Sequence, residues 1–126
     1  MSKTPVTTSL APRPGGPYSQ GIVAGGFLFT AGFGPNDPVT GLPADNVGEQ
    51  TRQVLRNISA VLAERGATLG DVVKVTAHLQ NVVADFAEFN AAYNEFFSEP
   101  YPVRTTVGSD LMGILIEIDV IAELQS

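Results

Sequence analysis

The stretch Ile114-Leu-Ile-Glu-Ile-Asp-Val-Ile-Ala122 (ILIEIDVIA) alternates along its whole length. Ile114, Ile116, Ile118, Val120 and Ala122 share one side of an extended chain, and Leu115, Glu117, Asp119 and Ile121 share the other. The first set demands burial. The second mixes apolar and acidic groups, and Glu117 stands inside an isoleucine run, where a charge is costly unless it is paired or used. Upstream, Tyr101-Pro-Val-Arg-Thr-Thr-Val-Gly108 (YPVRTTVG) forms a second β-branched segment with one charge, Arg104. The two segments, joined by a short Gly-containing connection, predict the last two strands of a sheet.

Working back from them, Ala84 to Phe97 predicts a helix, with Asp85 and Glu88 near its start and Pro100 and Pro102 beyond its end. Phe86, Phe89, Tyr93, Phe96 and Phe97 form an aromatic stripe along it, expected to pack on the sheet. Asp71 to Asn81 predicts a strand, with Val73, Val75, Ala77 and Leu79 on one face and Lys74, Thr76, His78 and Gln80 on the other. Asn46, three residues before Glu49, has capping-box spacing and opens a helix that Gly66 would stop. Its apolar stripe runs through Val47, Val54, Leu55, Ile58, Val61 and Leu62. Ser19–Ala24 and Phe27–Gly32, joined at Gly25-Gly26, predict a hairpin. Gly32 to Gly41 is dense in turn formers and lacks the pattern and lysine of a phosphate loop.

The expected order is therefore β-β-α-β-α-β-β, an α+β fold with a single sheet and both helices on one face. The helices cover the Ile114/Ile116/Ile118 side. Nothing remains in the chain to cover Leu115 and Ile121, so that face is expected to meet another copy of the same chain. Arg104 and Glu117 would then lie at or near a subunit junction.

Composition narrows the function. The 126 residues suit one domain. A net charge of −6, with seven scattered Lys and Arg residues, argues against nucleic acid. No apolar run is long enough to span a membrane, and the first residues lack the pattern of a signal peptide. The absence of cysteine excludes disulfides, thiolate catalysis and cysteine-held metals. The expectation is a cytoplasmic protein. His78, the single histidine, makes neither a triad nor a metal cluster and is expected to be a satisfied, partly buried side chain.

Six blocks occur in a telling order: GPYSQG (Gly16–Gly21), EQTRQVLRNISAVLAERG (Glu49–Gly66), DVVKVTAHLQN (Asp71–Asn81), DFAEFNAAYNEFF (Asp85–Phe97), PVRTTV (Pro102–Val107) and IEIDVIA (Ile116–Ala122). From Gly16 to Leu124 the chain resembles the Rid family, the YjgF-like reactive-intermediate (enamine/imine) deaminases. The resemblance implies one Rid-type domain over residues 1–126, with 1–16 as a loop leading into it. It also implies a chorismate-mutase-like homotrimer with active sites in clefts between subunits. The implied reaction is hydrolysis of 2-imino or enamino acids, released by pyridoxal-phosphate enzymes, to 2-keto acids and ammonia. No metal or organic cofactor takes part. The alternatives are a trimer that binds small ligands or acts like a chaperone without turnover, and an endoribonuclease, which the acidic charge and lone histidine count against.

Residue by residue, the resemblance makes Arg104 the carboxylate-binding arginine, and an arginine can hold a carboxylate through two parallel bonds. An ion pair within the oligomer is its alternative role. Glu117 matches the glutamate that orients or activates water, the alternative being a pair with Lys74 or Arg104. Tyr18 matches a pocket tyrosine or else packs in the core, and Asn90 matches an asparagine near the site or else lies on the surface. Thr106 follows Arg104 on the same strand face, where main-chain groups meet the imino nitrogen. The segment Ala31-Gly32-Phe33-Gly34-Pro35 departs from the usual Ser-Gly-Gln pattern. With Gly32 and Phe33 in the pocket wall, a bulkier or more apolar substrate is expected.

Overall fold

The computed structural model describes residues 2–125; Met1 and Ser126, the ends of the expected 1–126 domain, lie outside them. Strands β1 (Thr4–Val6), β2 (Gly21–Ala24) and β3 (Phe27–Thr30) precede helix α1 (Val47–Ala63). Strand β4 (Val72–Leu79), helix α2 (Val82–Asn94), β5 (Val103–Gly108) and β6 (Ile116–Glu123) follow. The sheet has the order β1-β2-β3-β6-β4-β5. Every neighbouring pair is antiparallel except β4 and β5, which are parallel and therefore joined by a crossover, here α2. Both helices lie on one face, as expected.

The sixth strand corrects the reading of residues 1–16 as a loop. Thr4, Pro5 and Val6 pair with Val23, Ile22 and Gly21. Pro5 contributes no N–H, which is tolerated because β1 is an edge strand. Its seat is tight: a Cβ on Gly21 would stand 3.0 Å from Val61 and 3.3 Å from both Leu28 and Val6. The rest of the leader is held by Gln20, only 3% exposed, whose amide accepts from Thr8 N at 2.7 Å and donates to Pro12 O at 2.9 Å.

The core lies between sheet and helices and contains Leu28, Leu55, Ile58, Val75, Phe89 and Ile118, all fully buried. In β6, the alternation holds from Ile116 to Ala122. Leu115 falls outside it, because the chain is not yet in the strand. Its N–H bonds to Gln50 Oε1 at 2.8 Å, and its side chain packs against the core, not on the uncovered face. In β4, Val73 is exposed and Val72 buried, the reverse of simple alternation. A bulge causes this: Val72 faces Ala122 and Lys74 faces Ile121, so one extra residue sits between them.

Helix α1 starts as the sequence implies, with Asn46 Oδ1 accepting from Glu49 N at 2.8 Å. The Glu49 carboxylate does not complete a capping box; it pairs with Arg52, which also forks onto Glu95 beyond α2. Three buried polar groups on α1, Gln50, Thr51 and Asn57, have partners. Gln50 and Asn57 hold the connection between β3 and α1. Asn57 Nδ2 donates to Gly34 O and Asn36 O, and Gln50 Nε2 donates to Ala44 O at 2.7 Å. Helix α2 is shorter at its end than expected. Phe96 follows it in a turn and Phe97 comes just beyond, yet Phe97 still stacks on Tyr93 at 4.4 Å.

Candidate active site

Two clefts contain most of the singled-out side chains. The first, about 650 Å³, is lined by Tyr18, Phe29, Thr30, Ala31, Gly32 and Glu117, with Lys3 at its margin. Glu117 reaches it from the open face of β6, the face the helices leave bare. Tyr18 is half exposed and is oriented by its own loop, its hydroxyl accepting from Gly15 N at 3.0 Å. The loop behind the cleft is anchored at both ends: Ala31 N donates to Gln20 O at 2.9 Å and Phe33 N to Ile118 O at 2.8 Å.

The second cleft, about 330 Å³, is lined by Asn90, Tyr93, Asn94, Tyr101, Pro102 and Arg104. Arg104 pairs in register with the fully buried Val75, so it points to the helix side of the sheet. Its guanidinium carbon lies 4.6 Å from the Tyr93 ring centre, 5.3 Å from Phe89 and 5.9 Å from Phe86. The aromatic stripe of α2 thus serves as both core and cation shelf. Burial pushes the Tyr93 phenol above its ordinary pKa, with the Arg104 charge partly opposing the shift. Neither Arg104 nor Glu117 belongs to an ion pair among the described residues of the single chain.

One chain does not bring the two charges together. β4 separates β6 from β5, two strand spacings or about 10 Å, and the two side chains leave opposite faces of the sheet. The chain therefore presents two separate groups: Glu117 with Tyr18 and Gly32 at one cleft, and Arg104 with Asn90 at the other. Thr106 is on the Arg104 side of β5 but lines neither cleft. Phe33 is a correction. It is 5% exposed and its ring belongs to the core, because the bridge between Phe33 and Ile118 turns its side chain inward. It forms no part of the pocket wall. Lys3, Phe29 and Thr30 also line the first cleft without a signal in the sequence: Lys3 stands in a segment that reads as a loop, and strand alternation assigns no function to the other two.

Behind Glu117 on the open face, His78 is its cross-strand partner. His78 is half-buried, and its Nδ1 is 2.8 Å from Ser109 Oγ, the satisfied histidine that was expected. Asp119 lies on the same face. Burial raises its carboxyl above the ordinary aspartate value, partly offset by the charges of His78 and Lys74. Exposed or half-buried apolar groups, Phe29, Val103, Val107 and Ile121, complete this face. No helix among the described residues is long and apolar enough to cross a membrane.

Comparison with known proteins adds to this geometry. The family model described as Endoribonuclease L-PSP matches residues 8–124. A RutC family protein of Pyrococcus abyssi is 46% identical over 97% of this chain and 98% of its own. A 2-iminobutanoate/2-iminopropanoate deaminase of Salmonella typhimurium is 40% identical over 97% and 98%. The crystal structure of Escherichia coli TdcF with bound serine superposes with a TM-score of 0.90 at 34% identity, covering 97% of this chain and 99% of that one.

Proposed function

The chain belongs to the endoribonuclease L-PSP family, that of the RutC and Rid proteins, and from that premise we propose that it is a cytoplasmic hydrolase of 2-imino acids. Its products are 2-keto acids and ammonia. The observation that carries the proposal is Arg104, a guanidinium without a carboxylate partner among the described residues, held on three aromatic rings at the edge of a cleft. A charged fork in that state suits the carboxylate of an amino-acid-shaped ligand. Support comes from the names of the two relatives above: one is called an imine deaminase, and one is a structure with serine bound.

The two groups lie on opposite faces and serve as half-sites, so the working site takes Arg104 and Asn90 from one copy and Glu117 and Tyr18 from its neighbour. Three copies close the arrangement by covering the bare sheet face. Arg104 anchors the substrate carboxylate, placing the iminium carbon over Glu117. Glu117 takes a proton from water as the oxygen attacks that carbon, giving a carbinolamine. The same carboxyl then returns the proton to nitrogen. The C–N bond breaks, ammonia leaves, and the hydroxyl proton is lost as the keto acid forms. The substrate is already electrophilic, so positioning and one base suffice.

The test is a coupled assay in which an amino-acid oxidase generates imines and semicarbazide traps those that escape hydrolysis. The protein should lower semicarbazone yield, and Arg104→Ala should not. No reduction across imines from alanine, 2-aminobutyrate, leucine and methionine would overturn the proposal. The second reading, binding without turnover, rests on the serine-bound relative; it predicts saturable ligand binding with no change in semicarbazone.

A further inference from the structure

Glu117 is the acid on which the proposed chemistry depends, yet no ion pair among the described residues fixes its carboxylate. What it rests on is bare backbone. A Cβ placed on Gly32 would stand 2.6 Å from Glu117 Oε2, 3.0 Å from Cδ and 3.3 Å from Cγ. Real side chains do not approach so closely, so any residue other than glycine would have to displace the carboxylate.

Two facts show that this glycine serves clearance and not conformation. Gly32 is not among the residues with positive φ, so its backbone is one that other residues adopt without strain. The chain on either side is also pinned. Ala31 N is bonded to Gln20 O, and Phe33 is tied to Ile118 by two backbone bonds, 2.8 and 3.1 Å, with its ring sunk in the core. An added methyl group would meet a fixed backbone on one side and the end of a flexible side chain on the other. The side chain would yield.

From this we infer that Gly32 is a positioning residue: its missing side chain is what lets the Glu117 carboxylate lie at the cleft wall where it meets water. This rests on the reading of Glu117 as the base, and it gives Gly32, which lines the same cleft, a role in setting the carboxylate.

The experiment is Gly32→Ala, alone and combined with Glu117→Gln, in protein checked for thermal midpoint and assembly. Alanine suits this backbone and limits the unfolded chain, so the variant should fold with near wild-type stability. Its kcat should fall by roughly the factor that Glu117→Gln shows, on the order of 100-fold, and KM should move by less than about threefold. In the double variant the losses should not multiply, because the second change removes a group already displaced. Independent losses that multiply would overturn the inference. So would a raised KM with unchanged kcat, or a Gly32→Ala chain that does not fold. A readout apart from turnover is the carboxyl resonance of 13C-labelled Glu117. It should move in Gly32→Ala whether or not the wild type hydrolyses imines, and an unchanged resonance overturns the inference. A wild type inactive on every imine counts against the proposed function alone.

Discussion

At the scale of single residues, Arg104 offers the sharpest test. Removing one partner of a desolvated charge pair costs about 2–5 kcal/mol. That is roughly 30-fold to several-thousand-fold in kcat/KM, so Arg104→Ala should nearly abolish deamination in the semicarbazide assay. Arg104→Lys should recover little, because an ammonium cannot reproduce the planar fork. Phe33 makes the opposite point. Its ring is core, so Phe33→Gln should leave substrate selectivity alone and destabilise the protein by about 3–5 kcal/mol in chemical denaturation, through lost packing and a buried amide. Sequence alone showed that Arg104 and Glu117 were unusual, because charges in β-branched runs violate the expected pattern. It could not show that Phe33 turns inward, because that depends on a single bridge to Ile118, 85 positions away in chain order.

At the scale of elements, periodicity located both helices and five strands, and Asn46 and Gly66 marked the ends of α1 as local chemistry predicts. What local pattern could not supply was β1, disguised by Pro5, and the β4 bulge that reverses Val72 and Val73. Both exist only because a partner strand imposes them. Strand β6 contributes a pH dependence. Burial raises the Asp119 carboxyl, so the folded protein holds that proton more tightly than the unfolded chain. The group's stabilising contribution is therefore present below the ordinary aspartate value and is lost as pH rises through the raised one. Asp119→Asn should match wild-type stability near about pH 3 and exceed it near about pH 7, as read from denaturation midpoints at the two pH values. A larger gain at the acidic end would contradict the sign of the shift.

At the scale of the whole molecule, the two half-sites make the proposed assembly testable without a structure of it. Arg104→Ala and Glu117→Gln should each be nearly inactive when pure. Unfolded together and refolded, they form mixed oligomers in which an intact Arg104 meets an intact Glu117 at about a quarter of the clefts. Deaminase activity should reappear at about that fraction of wild type. Its absence, in mixtures shown by mass spectrometry to contain both chains, would mean that each site draws on one chain alone. Which face each charge would leave by was half legible: alternation put Glu117 on the uncovered face. The side of Arg104 follows from the parallel register of β5 on β4, which the crossover through α2 sets.

The small strand β1 has a practical consequence for anyone handling the protein. Val6 is sunk to 3% exposure beside Gly21, and just ahead of it Lys3 borders the Glu117 cleft. An affinity tag fused at that end would hang over the cleft mouth, and its removal scar would stay there. A kinetic comparison made on such a fusion would report the tag as much as the protein.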